Sequence, residues 1–508
     1  MNRCERIGMI DIGSNSIRLV IYEKVGKSAN RVLDESKASA RLSEKVGVDK
    51  ILAHEDIMSI VQILLHFKGL CEAQEVQVIR AVATAAIRNA ENYDEIIQTL
   101  HVHTGLQIEI LSGKEEARLG FLGAINTLDL NTGLLIDIGG WSTEITYFQD
   151  REIVHSVSIP LGAVNVTKRY TKNGNAKPAE IVKIQQMMTE ALENELWIKQ
   201  CQGLPLIGMG GTIRTLAKID QKQKKYSFPA IHNYSLLPHE GEEILHRIAS
   251  MNVGKRKKIT GLASDRADII AAGLILLQTI MTYTSVSNLI VSGSGLREGL
   301  FYEMANPENP KLAHVLQDSV DNLLLLHPSV PRKHVEQVNR LAKRIFDAGF
   351  SQLNLQATDE QAKLYLGVAA KLYRIGVTVD YYHYDQHTYY LMENSRLNGL
   401  THREIVLCAL IASYRSRGRT RQLFNEHKDL LKANDFLLIL QLGAILKLAV
   451  ALDRSETQPI QQLFASIELP YLHLHWQANR STRIEKREVQ ALTPEFQKIW
   501  NLKVQITD

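Results

Sequence analysis

Four cysteines in 508 residues are too few, and too scattered, to organise a fold. Cys4, Cys71, Cys201 and Cys408 have neither the short spacing of a zinc site nor the density of a disulfide framework. This excludes a disulfide-rich secreted domain and a zinc knuckle, and it fits a reducing compartment.

Long apolar runs are also missing. The N-terminus reaches Asp11 before any run long enough for a signal peptide. Ile269–Met281 is too short to span a bilayer, and the longer run 435–453 contains Gln441 and Lys447, which favour a buried helix. We therefore expect a cytoplasmic protein with no membrane partner.

Charge of one sign is equally scarce, because 59 Lys and Arg face 55 Asp and Glu and leave a formal net charge of +4. With 45% hydrophobic residues, this balance excludes a disordered chain and a basic tail that coats a polyanion. We expect no nucleic-acid partner. The length predicts about three or four domains, each with its own core.

What the chain does contain is an internal repeat. Residues 9–22 (MIDIGSNSIRLVIY) align with residues 135–148 (LIDIGGWSTEITYF) at a constant offset of 126. The identities pair Asp11 with Asp137, Ile12 with Ile138, Gly13 with Gly139, and Ser16 with Ser142. Each copy is an apolar run, a turn of small residues and an alternating run, which is typical of a β-hairpin. The repeat predicts a duplicated α/β domain.

Two more glycine turns follow strand-like runs, at 206–219 (LIGMGGTIRTLAKI) and 289–303 (LIVSGSGLREGLFYE). In each, a strand ends in glycines and a helix begins, so that unpaired backbone N–H groups point at whatever lies in front. Four such turns suit a phosphate-holding cleft between two lobes.

The character of the chain changes after the proline-containing stretch 306–310. Helical periodicity dominates from 311 to about 450, and Gly349 ends one such helix. Strand alternation returns in the tail, at Leu472, Leu474 and Trp476 and again near residue 504. We predict an all-helical domain followed by a small α+β domain.

Opposed aspartates are the first candidates for chemistry. Asp11 and Asp137 end equivalent strands, and a pair of carboxylates with water and phosphate oxygens suits Mg²⁺-assisted phosphoryl transfer. The turns beside them offer N–H groups and hydroxyls to phosphate oxygens. A lone aspartate at a strand end would be only a turn former.

Two other segments carry charged candidates. Glu115 and Glu116 open a helix after a Ser-Gly turn, where acids usually stabilise the helix N-terminus; one of them could instead deprotonate a water that attacks phosphorus. Arg88 lies on the helix after a strand, and its guanidinium can donate two hydrogen bonds to a tetrahedral oxyanion, although an arginine in such a position more often faces solvent.

Taken together, these motifs resemble the exopolyphosphatase and guanosine pentaphosphate phosphohydrolase family, within the actin, Hsp70 and sugar-kinase superfamily. The resemblance rests on IDIGSNSIRL, ATAAIRNA, ILSGKEEARL, LIDIGGWSTEI, GMGGTIRTLA, DRADII and VSGSGLREG, in that order. The implied fold is α/β: a duplicated actin-like ATPase (ribonuclease H-like) core with lobes 1–125 and 126–306, an all-helical HD-like domain 311–450 and a small α+β domain 451–508.

The resemblance also implies an activity, the removal of the terminal phosphate from inorganic polyphosphate or guanosine pentaphosphate. Glu116 would be the catalytic base, and Asp137 and Glu144 with Asp11 would bind Mg²⁺ or Mn²⁺. The residues expected to hold phosphate are Asn15, Ser16, Arg88, Gly139, Gly140, Ser142, Thr143, Gly210, Gly211 and Arg297. A homodimer is implied in the same way.

Two departures from the family pattern stand out. Trp141 replaces the third glycine of DIGGGSTE; a tryptophan accepts positive φ poorly, so we expect lower activity or a shorter acceptable substrate. Tyr373-Arg374 stands where an HD protein would present a His-Asp metal pair, so we expect that metal site to be lost. His383 and His387 are interpreted as core or surface histidines.

Basic clusters at 414–421 (YRSRGRTR) and 254–258 (GKRKK) are either solvated loops or a track for the polyanion, with Arg417 and Arg419 as the candidate contacts. Other functions stay open: an ATP-driven kinase or chaperone of the same superfamily, and a polyphosphate or nucleotide sensor with weak turnover. Glu116 followed by Ala-Arg-Leu favours hydrolysis over the kinase.

Overall fold

The computed structural model describes residues 5–25, 29–46, 50–172, 174–350, 355 and 357–507, and Cys4 lies outside them. The chain forms two compact units. The first comprises Met1–Tyr226 and Ala230–Val315, and the second comprises Ser227–Pro229 and Leu316–Asp508.

Lobe I, the N-terminal part of the first unit, is a five-stranded sheet with helices. Its strands run in the order β3-β2-β1-β4-β5, with β1, β2 and β3 antiparallel and β1, β4 and β5 parallel. The strands are β1 (Arg6–Ile12), β2 (Ser16–Val25), β3 (Ala29–Ser39), β4 (Val78–Ala83) and β5 (Ile108–Ile110). The helices are α1 (Leu42–Lys45), α2 (His54–Ala73), α3 (Ala85–Arg88), α4 (Tyr93–Thr104) and α5 (Gly113–Ile125).

Lobe II repeats this plan in a six-stranded sheet of order β10-β11-β9-β6-β7-β8. Its strands are β6 (Gly133–Ile138), β7 (Thr143–Gln149), β8 (Glu152–Ile159), β9 (Leu206–Met209), β10 (Tyr234–Leu236) and β11 (Leu289–Val291). Its helices are α6 (Ala163–Tyr170), α7 (Pro178–Glu193), α8 (Gly210–Lys224), α9 (Pro238–Ala249), α10 (Val253–Arg256), α11 (Ile270–Thr284) and α12 (Leu296–Ala305), with 3₁₀ turns at Leu196–Cys201 and Ser264–Arg266.

The sequence repeat is a structural repeat. In the first hairpin Asp11 lies opposite Arg18, and in the second Asp137 lies opposite Glu144, so the offset of 126 residues holds for both partners. In each copy the first strand then pairs in parallel with a later strand, β4 or β9. The predicted duplicated α/β core is confirmed.

Helix α5 lies between the two sheets. Its Leu119 packs with Ile7 and Met9 of lobe I, whereas Phe121 and Ile125 pack with the apolar side chains of lobe II. Helix α12 also packs on lobe I, where Phe301 stacks on Tyr22 with ring centroids 4.4 Å apart. The two helices therefore join the lobes.

The backbones of α5 and α12 touch at a pair of glycines. A Cβ on Gly123 would lie 2.0 Å from the carbonyl oxygen of Gly295, and a Cβ on Gly299 would lie 1.9 Å from that of Leu119. Neither contact is with a flexible side chain, so any side chain at these positions would push the helices apart.

We expect Gly299→Ala to destabilise the protein by about 3 kcal/mol, the upper part of the range for overpacking, because main chain has to move. Thermal and urea unfolding measure the change. Gly69→Ala is the matched control, since Gly69 is an exposed position of α2 with open space around it, where alanine should stabilise by about 0.5–1 kcal/mol. Equal effects of the two substitutions would contradict the close backbone contact between α5 and α12.

The second unit is a bundle of helices followed by a small sheet. Its helices are α13 (Val315–Leu326), α14 (Arg332–Phe346), α15 (Asp359–Leu372), α16 (Tyr384–Asn394), α17 (His402–Ala412), α18 (Arg417–Glu426), α19 (Asp435–Ala451) and α20 (Arg483–Trp500). Its strands are β12 (Ile460–Glu468), β13 (Tyr471–Ala478) and β14 (Lys503–Ile506), with β13 in the centre. The predicted helical part and small α+β part are confirmed, and α19 is the expected buried helix.

The position predicted to have lost an HD metal site is a buried polar cluster. The Tyr373 hydroxyl bonds to Nε2 of His334, and Nδ1 of His334 lies 2.7 Å from Oδ2 of Asp453. Arg374 forms an ion pair with Glu456. The HD-like character of this unit stays a prediction. No helix among the described residues is long and apolar enough to cross a membrane.

Candidate active site

A small cavity opens where the two hairpin turns face the start of α8. Its volume is about 140 Å³. It is lined by Asp11, Gly13, Asn15, Ser16, Arg18, Asp137, Ile138, Gly139, Gly140, Ala163, Val164, Gly210, Gly211, Thr212, Arg214, Arg266 and Ile269. Both predicted aspartates and six of the predicted phosphate-binding residues therefore line one cavity.

The two aspartates face each other across this cavity at high electrostatic cost. Burial raises the pKa of Asp137 to about 6, against the opposing effect of Arg214, and the charge of Asp11 raises it further. Burial also raises the pKa of Asp11, although Arg297 and Arg18 act against it. Carboxyls in this state gain from a cation that shares their charge.

Two glutamates continue the row of carboxylates away from the cavity. Burial raises the pKa of Glu144 to about 7; hydrogen bonds from Ser142 and Ser158, 2.7 and 2.8 Å long, oppose the shift, and the charge of Asp137 adds to it. The pKa of Glu116 is raised well above its ordinary range by burial and then by the charge of Glu144. Four acidic groups thus adjoin one another in a desolvated line.

Helix α5 carries both Glu115 and Glu116, and the two side chains have different hydrogen-bond partners. Ser112 caps the helix, accepting from the Glu115 N–H at 3.2 Å, while the Glu115 carboxylate accepts from the Ser112 N–H at 2.9 Å. Glu115 is therefore the helix cap, as one interpretation of the sequence held. Glu116 instead accepts a hydrogen bond from Arg88 at 3.1 Å.

Arginines surround the end of the carboxylate row at which Asp11 and Asp137 lie. Three of these arginines were not predicted from the sequence. Arg18, Arg214 and Arg266 join the predicted Arg297 around Asp11 and Asp137. Burial, then the charge of Arg297, lowers the pKa of Arg214, although the charges of Asp137 and Glu298 act against this shift. An anionic ligand would relieve the crowding of these arginines.

The signals for these arginines are present in the sequence. Arg18 lies opposite Asp11 in the hairpin register, and Arg214 follows Gly210 by one helical turn and donates to its carbonyl oxygen at 3.1 Å. Arg266 belongs to the motif DRADII. Its guanidinium lies where a side chain on Gly211 would be, 1.9 Å from the position of a Cβ there.

Gly210 allows α8 to approach Asp137 closely. Its φ is +83°, a region that favours glycine, and a Cβ on it would lie 2.4 Å from Oδ1 of Asp137. The first turn of α8 therefore presents its N–H groups at the cavity, next to the carboxylate.

Some predicted phosphate ligands have other partners. Thr143 is fully buried and donates to the carbonyl oxygen of Leu161 at 2.6 Å, so its hydroxyl holds the hairpin and does not face the cavity. The Ser142 hydroxyl donates to Glu144. Arg297 donates to Glu35 at 3.0 Å as well as lying near Asp11.

The three predicted metal ligands, Asp11, Asp137 and Glu144, stay a prediction. Among the described residues, no three His, Cys, Asp or Glu side chains form a group that could hold a metal ion. Glu144 is engaged by its two serines, whereas Asp11 and Asp137 share the cavity. These two oxygen-donor groups fit Mg²⁺, which is bound by one or two carboxylates plus water and substrate phosphate.

Trp141 does not have the backbone strain expected for it. Its φ is not positive, so the tryptophan replaces a glycine without a conformational penalty, and that reason for low activity was wrong. It lines a larger cavity of about 710 Å³ with Arg88, Tyr93, Arg169 and Tyr170.

The two basic clusters differ from each other. In 254–258, Arg256 is fully buried and donates to the carbonyl oxygens of Ile248 and Gly174. At least part of this segment is therefore not a solvated loop. In 414–421, α18 begins after Ser416; Arg417 is exposed and Arg419 partly exposed. Both belong to the second unit.

Comparison with known proteins identifies the family of this chain. The sequence model of the Ppx/GppA phosphatase family matches residues 20–308, and the model of its domain III matches residues 315–506. A Ppx/GppA family member from Aquifex aeolicus is 26% identical, with a TM-score of 0.53 over 60% of this chain and 99% of that one. An exopolyphosphatase from Cytophaga hutchinsonii shares the fold, with 22% identity and a TM-score of 0.56 over 61% of this chain and 100% of that one. The resemblance predicted from the motifs is confirmed, and this chain belongs to the Ppx/GppA phosphatase family, with its actin-like two-lobed core.

Proposed function

We propose that this protein is an exopolyphosphatase that hydrolyses the terminal phosphate of linear inorganic polyphosphate, with Glu116 as general base and Mg²⁺ as cofactor. The observation that carries the proposal is the row of four carboxylates, of which Glu144 is buried and the other three are half-buried, with arginines at both ends. Arg18, Arg214 and Arg266 form the anion-binding end, and Arg88 holds Glu116 at the other.

In this mechanism the terminal phosphate lies beside Asp137, between the smaller cavity and Glu116, since the charges of Asp137 and Glu116 act on each other. The arginines and the N–H groups of Gly210 and Gly211 donate to its oxygens, where negative charge is redistributed in the transition state. Asp11 and Asp137 would hold Mg²⁺, which neutralises phosphate charge when bound. Glu116 accepts the proton of the attacking water, and Arg88 fixes the carboxylate that receives it.

A raised pKa suits Glu116 to this task. A base is most effective when its pKa lies near the working pH, and burial beside Glu144 raises the pKa of Glu116 well above its ordinary range. The Arg88 guanidinium counteracts part of that shift and keeps the ionised form accessible.

The best test is phosphate release from long-chain polyphosphate and from guanosine pentaphosphate, measured with and without Mg²⁺. Faster release from polyphosphate supports the proposal, and faster release from the alarmone favours the second candidate below. No release from either substrate would contradict both and favour the sensor. The homodimer, and a polyanion track through Arg417 and Arg419, remain predictions.

The second candidate is a guanosine pentaphosphate phosphohydrolase, and the larger cavity favours it. Trp141, Tyr93 and Tyr170 place three aromatic rings beside the cations of Arg88 and Arg169. A nucleobase can stack on such rings, whereas inorganic polyphosphate has no ring to stack.

We expect Trp141→Ala to separate the two candidates. Base stacking on an aromatic side chain contributes about 1–3 kcal/mol, so the substitution should lower kcat/KM for guanosine pentaphosphate at least fivefold and leave polyphosphate hydrolysis nearly unchanged. Trp141→Phe is the control, because it keeps a ring. Equal losses on both substrates would contradict a role of Trp141 in stacking the base, and a gain on polyphosphate would support the lower activity that we expect from the sequence.

A further inference from the structure

Residues of lobe I reach lobe II directly beside the small cavity. Nζ of Lys37 lies 3.2 Å from Oδ2 of Asp265, and Nη1 of Arg41 lies 3.2 Å from Oδ2 of Asp268. Nη2 of Arg41 also donates to the carbonyl oxygen of Asp265 at 2.9 Å. We refer to Lys37, Arg41, Asp265 and Asp268 as the latch.

The two aspartates of the latch flank Arg266 in the sequence. Asp265 immediately precedes it and Asp268 follows two residues later, so both ends of the short segment that carries Arg266 are tied to lobe I. From lobe II, the buried Arg256 donates to the carbonyl oxygen of Ala267 at 3.4 Å. The segment is thus fastened from both lobes.

Arg266 has little freedom once the segment is fixed. Its guanidinium occupies the space above Gly211 that a side chain would fill, and it lines the cavity near Asp137. Its place in the cavity therefore depends on the position of the segment, and through the latch on the position of lobe I.

Two further features suit the latch to reversible use. Each ion pair is about one third exposed, 37% and 36% for Lys37 and Asp265 and 34% and 31% for Arg41 and Asp268, so each is weak and screened by salt. Arg41 also holds a φ of +46°, a strained conformation for a side chain of this size.

We infer that Lys37 and Arg41 are positioning residues: by binding Asp265 and Asp268 across the cleft, they place Arg266 on the phosphate when the lobes close. The inference rests on the proposed function only in taking the ligand of Arg266 to be a phosphate. The anion in turn favours closure, because it neutralises the crowded arginines of both lobes.

The test uses Lys37→Glu, Asp265→Lys and the variant that carries both. Each single variant should raise KM for polyphosphate about fivefold to tenfold, a usual size for coupling between sites, while kcat changes less. The double variant restores the ion pair with reversed charges and should restore KM. Lys24→Glu is the control, since it removes a surface pair with Glu5, 2.9 Å long, within lobe I.

A second measurement is independent of turnover. Amide hydrogen exchange of residues 264–268 should slow when inorganic tripolyphosphate is added to the wild type, and should slow less in Lys37→Glu. Unchanged KM and unchanged exchange in Lys37→Glu would overturn the inference. A wild type that binds tripolyphosphate and protects 264–268, yet releases no phosphate, would overturn the proposed function and leave the latch supported.

Discussion

Glu116→Gln should lower kcat for polyphosphate hydrolysis about 10²–10⁴-fold, the usual contribution of a general base. Glutamine has nearly the same shape and can still contact Arg88, but it cannot accept the proton of the attacking water. It also removes one negative charge from the row of carboxylates, so the affinity for tripolyphosphate, measured by calorimetry, should be equal or higher. The rate should therefore fall without a loss of affinity.

Glu115→Gln is the matched control, because it changes the neighbouring glutamate, which caps α5 through Ser112. Its activity should stay close to that of the wild type, with at most a small loss of stability. If Glu115→Gln abolished hydrolysis and Glu116→Gln did not, the assignment of the base would be wrong.

Asp137→Asn should produce the second large effect, a loss of at least about 10²-fold in kcat, because Mg²⁺ contributes several kcal/mol of charge stabilisation in such sites. Asparagine is of similar size, which matters beside Gly210. The same variant should be more stable than the wild type at pH 8 in the absence of metal.

The sign of the stability effect follows from the raised pKa of Asp137, about 6 against an ordinary value of 3.8. The folded protein holds this proton more tightly than the unfolded chain does. The group's contribution is therefore fully present below pH about 4 and is lost as the pH rises through about 6. The difference corresponds to about 3 kcal/mol at most, reduced by water in the cavity.

Melting temperatures at pH 5 and pH 8, with and without Mg²⁺, test this expectation. The wild type should lose stability between the two pH values and regain it with Mg²⁺ at pH 8. Asp137→Asn should show less of both effects, whereas Asp129→Asn, at an exposed position of the same unit, should behave as the wild type. Metal-independent melting of the wild type at pH 8 would contradict the assignment of Asp137.

The fold was largely predictable, because two hairpins with matching residues specify a duplication, and hairpin geometry is local. The register of Asp11 with Arg18 and of Asp137 with Glu144 follows from the turn alone. The role of α12 was not predictable. Its apolar residues have no partner within their own segment, and only the tertiary structure places Phe301 on Tyr22 of lobe I.

The site was predictable where residues belong to the repeat, and less so elsewhere. Asp11 and Asp137 were found through their equivalence. The positions of Arg214 and Arg266 depend on packing over Gly210 and Gly211, which a one-dimensional pattern does not contain. The backbone of Trp141 was misjudged because a glycine in a motif was taken to indicate positive φ, and here the chain does not adopt it.

The glycine pair of α5 and α12 also limits how the lobes can move. Packed helices usually slide past one another because the side chains between them can shift. At Gly123 and Gly299 the two main chains are in direct contact, with no side chains between them. We therefore expect relative movement at this crossing to be a rotation, with the two glycines as its pivot. Glu116 lies about 10 Å from the pivot along α5. We therefore expect Glu116 to move little when the cleft opens.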